Sequence, residues 1–103
     1  MNTRIAIILA LLATPLSLQA APFAKGDAKA GQALHKDKCV ACHIGKFGGD
    51  GSRIYTRAER KVKSADQLAQ RIAGCNANLG LNLFPEDEQH LGAYLNTSFY
   101  KFK

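Results

Sequence analysis

Cys39-Val40-Ala41-Cys42-His43 sets two thiols three residues apart, with an imidazole directly after the second. On one helical turn the thiols lie on a common side and can add to the two vinyl groups of a single haem. The adjacent imidazole is then placed to reach the iron from that face. The spacing predicts one haem c attached through Cys39 and Cys42, with His43 as the proximal iron ligand. Two other chemistries use the same residue types. A redox-active C-x-x-C pair belongs in a βαβ context, and no such alternation surrounds this one. Zinc held by Cys39, Cys42, Cys75 and a histidine has enough ligands, but structural zinc sites carry short paired spacings at both ends. Only one such pair is present here.

The elements that position the motif read as helices. Asp27 caps a helix running to about Lys38, with Ala30, Ala33 and Leu34 on its apolar side. Ile44–Ser52 holds Gly45, Gly48, Gly49 and Gly51 and reads as a loop whose backbone can approach a flat ligand. Ile54–Val62 is polar and has no clear period. Ser64-Ala65-Asp66-Gln67 is a capping box with Gln67 reaching back to the Ser64 amide. It opens a helix with Leu68, Ala69 and Ile72 inward and Gly74 as its stop. Cys75–Phe84 is then a loop. Pro85 starts a third helix, with Glu86, Asp87 and Glu88 in its first turn. Leu91, Tyr94 and Leu95 form its buried stripe, and an aromatic tail runs from Thr97 to Lys103. The class is all-α.

Residues 1–20 read as a secretory signal peptide cleaved after Ala20. Arg4 precedes the apolar run Ile5–Ala13, and Thr14-Pro15 ends it. That run is well short of the ~20 residues of a spanning helix, so no stable membrane insertion is expected. The expectation is a periplasmic domain of residues 21–103. A domain of that size is marginal when side chains alone build its core, and the apolar face of a haem would relieve this. The chain holds 3 cysteines. In an oxidising compartment two are consumed by thioether bonds, which leaves Cys75 without an obvious disulfide partner.

The 14 Lys+Arg against 8 Asp+Glu give a formal charge of +6, and loss of the leader removes only Arg4 from that balance. A basic surface suits redox partner proteins with acidic docking patches, met at salt-sensitive rates. No nucleic-acid-binding motif is present, so nucleic acid is not an expected partner. No nucleophile–base constellation is visible, so the chain is expected to be a carrier and not an enzyme.

Gly31-Gln32-Ala33-Leu34-His35-Lys36-Asp37-Lys38 before the motif and Leu91-Gly92-Ala93-Tyr94-Leu95 near the end resemble the small class I cytochromes c across the whole of 21–103. That resemblance implies N- and C-terminal helices packed across a covalently bound haem, and a periplasmic electron-transfer function. Leu79–Phe84 and Tyr94–Lys103 also resemble small shuttle cytochromes of iron-oxidising and related proteobacteria.

The pattern departs from class I on both faces of the iron. The family takes its distal methionine from the loop before the last helix, whereas the single methionine here is Met1. Gly74-Cys75-Asn76 resembles a corner of cytochromes c″ and the sphaeroides haem proteins. Those relatives set a detachable His or Asn ligand just before a cysteine, and Gly74 has no ligand atom. Cys75, read as directly following the second helix at the head of the loop that should face the haem, is the distal candidate, as a thiolate. His90, Asn76 and Asn78 are the alternatives. His35 reads as a helix-interface residue filling a position that the family often gives to an aromatic. On the proximal face, class I members orient the imidazole through a proline carbonyl, but no proline lies between His43 and Pro85. A backbone carbonyl of Ile44–Ser52 is expected in that role. A labile or open distal position would instead make the chain a haem-based binding or sensing protein for a small gas.

Overall fold

The computed structural model describes residues 21–103, and every regular element among them is helical. The expected leader lies outside the described residues. Helix α1 (Ala28–Lys38) opens at Asp27, whose carboxylate accepts the Lys29 N–H at 2.9 Å. A break at Cys39 separates it from α2 (Val40–Phe47). Helix α3 (Arg53–Thr56) is one short turn, followed by α4 (Ala65–Leu79) and α5 (Pro85–Leu95). The chain then widens into a π-helical turn, Asn96–Tyr100.

The most extensive helix–helix contact joins α1 to α5. It is centred on Gly31, where a Cβ would collide with the carbonyl of His90. Asp27 N–H donates to His90 Nδ1 at 2.9 Å and fastens one end of the crossing. The buried residues of α1 are Gly31 and His35; of the expected apolar side, Leu34 is half-buried and packs against the core, Ala30 is half-buried and Ala33 is exposed. The reason is steric. Positions four apart share a helix face, and the face that touches backbone must be the one lacking a side chain.

One glycine expected in a loop and one expected as a helix stop both fall inside helices. Gly45 lies within α2, so the loop begins only at Gly48. Gly74 lies within α4, which runs to Leu79 and ends on Gly80 in the left-handed region, φ +60°. Cys75, Asn76 and Asn78 are therefore helical residues and not loop residues. An interior glycine costs a helix about 1 kcal/mol, and the inward face built on Leu68 and Ile72, both buried, outweighs that. Ala69, expected on that face, is exposed. At the start of α4, Ser64 Oγ accepts the Gln67 N–H at 3.2 Å, but Gln67 Oε1 accepts from Lys63 N–H at 2.7 Å and not from Ser64.

Helix α5 opens as expected at Pro85, and Phe84 N–H donates to Asp87 Oδ2 at 3.0 Å. Leu91 and Leu95 are buried and Tyr94 is half-buried. They join Tyr55, Val62, Leu68, Ile72 and Tyr100 in one core. The aromatic tail folds back on this core because the Asn96 side chain binds both backbone groups of Phe102, accepting its N–H at 2.7 Å and donating to its carbonyl at 3.1 Å. Among the described residues no helix is long and apolar enough to cross a membrane.

The Gly31 contact is open to a direct check. Gly31→Ala is expected to destabilise the domain by about 1–3 kcal/mol, the usual cost of overpacking, seen as an earlier unfolding transition by circular dichroism.

Candidate functional site

Cys39 stands at the α1–α2 junction with φ −122° and ψ −38°, and Cys42 and His43 follow on the first turns of α2. Cys39 is half-buried against the core, while Cys42 is exposed. Behind His43 the chain turns at Gly51, which is buried with φ +81°. A Cβ there would sit 2.8 Å from the Cβ of His43, so the loop can close behind the imidazole only with glycine at this point.

That turn leads into α3 and delivers Tyr55 to His43. The Tyr55 hydroxyl lies 2.6 Å from His43 Nδ1 and 2.9 Å from His35 Nε2. Tyr55 and His35 are each only 6% exposed. The rings of His43 and Tyr55 meet edge-on at 5.3 Å, and His35 also packs on Tyr94 at 5.3 Å. Burial holds both imidazoles below their ordinary pKa; His43 adds to the effect on His35, and Lys46 adds to it on His43. Burial also pushes the Tyr55 phenol far up, so it stays protonated. The site is thus a neutral chain of imidazole, phenol and imidazole.

The hydroxyl of Tyr55 replaces the backbone carbonyl expected from Ile44–Ser52 as the partner of His43 Nδ1. Sequence reasoning missed Tyr55. Its stretch has no helical period, and the one available signal was a hydroxyl-bearing aromatic shortly after a glycine-rich turn. His35 lies in the α1 interface as expected, but as a polar participant.

Burial raises the pKa of the Cys39 thiol, and the Cys75 and Cys42 thiols add to the effect. Cys75 and Asn78 are exposed and line one cavity of about 410 Å³ together with Lys61, Val62, Gln67 and Arg71. Asn76 and His90 are committed elsewhere. Asn76 exchanges both amide groups with the backbone of Leu83, each at 3.0 Å, and so braces the α4–α5 connection. His90 Nδ1 is occupied at the α1–α5 crossing. All three cysteines are free thiols. Among the described residues no three or more His, Cys, Asp or Glu side chains gather into a metal cage. No family model matches the chain, and no curated protein or solved structure is matched by it.

The two lowered imidazoles set a pH dependence. Below about pH 6.5, the ordinary histidine value, the unfolded chain binds protons that the folded one does not. Stability is therefore full above that value and falls as the pH drops through the window. Urea unfolding of the haem-free domain is expected to show a midpoint that declines from about pH 6.5 downward. His35→Gln should shrink the decline by removing one of the two groups.

Proposed function

We propose that the chain is a periplasmic electron carrier with one haem c, bound through Cys39 and Cys42 and ligated by His43, with a distal ligand other than methionine. The observation that carries this reading is the state of His43. Its imidazole is held neutral by burial, and Nδ1 is bonded to Tyr55. That leaves Nε2, on the turn shared with Cys42, as the nitrogen for a metal. The residues present fit the group: two free thiols three apart, one neutral imidazole and an aromatic core against Cys39. When bound, the haem supplies a one-electron couple, and the protein side chains set its orientation and polarity. The close crossing of the first and last α-helices supports a cytochrome-like arrangement. The formal charge of +6 supports transient docking to acidic partners.

Cys75 is the proposed distal ligand, because its thiol is free and exposed while Asn76 and His90 are held by other bonds. Asn78 shares its cavity and can donate a hydrogen bond there. The absence of any methionine after Met1 favours a second reading, a gas-binding haem protein.

Export of the chain in a cell equipped for cytochrome maturation should yield a mature protein heavier by one haem, with the pyridine haemochrome band of a doubly attached group. Cys39→Ala and Cys42→Ala should each shift that band to the singly attached form. An exported, folded protein without covalent haem would rule the reading out. The reduced carrier is expected to ignore carbon monoxide, and rapid uptake would move the assignment to gas binding. Cys75→Ala should alter the ferric EPR spectrum; an unchanged spectrum removes Cys75 as a ligand.

A further inference from the structure

The geometry points to Tyr55 as the positioning residue of the iron-binding imidazole, with His35 setting the direction of its hydroxyl. This inference rests on the haem reading above and adds to it a side-chain device on the proximal face.

The proton count permits one arrangement. With Nε2 given to the metal, neutral His43 carries its proton on Nδ1 and must donate it. The acceptor 2.6 Å away is the Tyr55 oxygen. The single phenol proton must then go to the other polar neighbour, His35 Nε2 at 2.9 Å. His35 in turn keeps its own proton on Nδ1. The reverse assignment, in which His35 Nε2–H donates to Tyr55, leaves the buried phenol proton without an acceptor in this group, which costs about 1–3 kcal/mol.

The direction of donation matters for the iron. An oxygen that is itself donating becomes a stronger acceptor. A stronger acceptor at Nδ1 makes the imidazole more electron-rich at Nε2 and so favours the ferric state. A backbone carbonyl in this role would be insensitive to side-chain identity. Here its strength depends on two side chains: Tyr55, delivered by the turn at Gly51, and His35, held on α1 one turn after Gly31. The Tyr55 ring packs on Phe99 at 5.2 Å and Tyr100 at 5.8 Å, which keeps the hydroxyl in place.

The test uses the haem-loaded protein. Tyr55→Phe keeps the packing ring and removes the oxygen. It should raise the midpoint potential and displace the hyperfine-shifted ring-proton signals of His43 in the ferric protein. His35→Leu should shift both in the same sense by less, and His35→Gln, which retains an acceptor, should restore them towards the wild type. Combining Tyr55→Phe with His35→Leu should add no further shift, because the two act through one chain. A haem-loaded Tyr55→Phe protein with wild-type potential and wild-type His43 signals would overturn the assignment, even if its stability fell. A wild-type protein lacking haem would overturn the haem reading and this inference with it, so the two failures are told apart by the haem content of the wild type.

Discussion

A phenol oxygen buried between two imidazoles must satisfy both of them, and that requirement ties the domain together. Tyr55 comes from α3, His43 from α2 and His35 from α1, so one hydroxyl sets three helices in register. Water has little access to these groups, and an unmet hydrogen bond there costs more than a met one contributes. The surroundings are built to keep the oxygen in place. Arg60 donates to the Tyr55 carbonyl at 3.0 Å while its guanidinium lies over Tyr100 and Phe102, at 5.2 and 5.9 Å from their ring centres. The C-terminal tail is thus part of the site's support.

The α1–α5 crossing supplies the frame for that junction. Gly31 lets α1 press onto the backbone of α5, and the next inward position on the same face is His35. Close approach at one residue therefore aims the other at Tyr55 and Tyr94. His90 serves the frame as an acceptor for Asp27 N–H. A polar residue at a helix crossing is tolerated when its hydrogen bond is made within the crossing.

What was readable from sequence was what local chemistry decides. Asp27, Ser64 and Pro85 announced helix starts because a cap involves residues only two or three apart. The end expected at Gly74 was misread, since a glycine ends a helix only where packing stops rewarding its continuation. Gly80 does so with its left-handed backbone, and Gly74 does not. The inward face of α1 was legible only in part. Apolar spacing pointed to Leu34, which does pack against the core, but the closest contact with α5 is made at Gly31, a residue with no side chain.

The sequence by itself determined the all-helical class, the pairing of two thiols with an adjacent imidazole, and the lack of any methionine beyond Met1. These are matters of residue type and short spacing. The tertiary structure alone decided that His43 is bonded by a tyrosine, that His35 completes the chain, and that Asn76 and His90 are spent on bracing. The partners in three of these bonds are separated by 12, 20 and 63 residues. Such contacts form only after helix packing has offset the entropy of closing the intervening chain, and no local pattern encodes where that packing will bring the side chains.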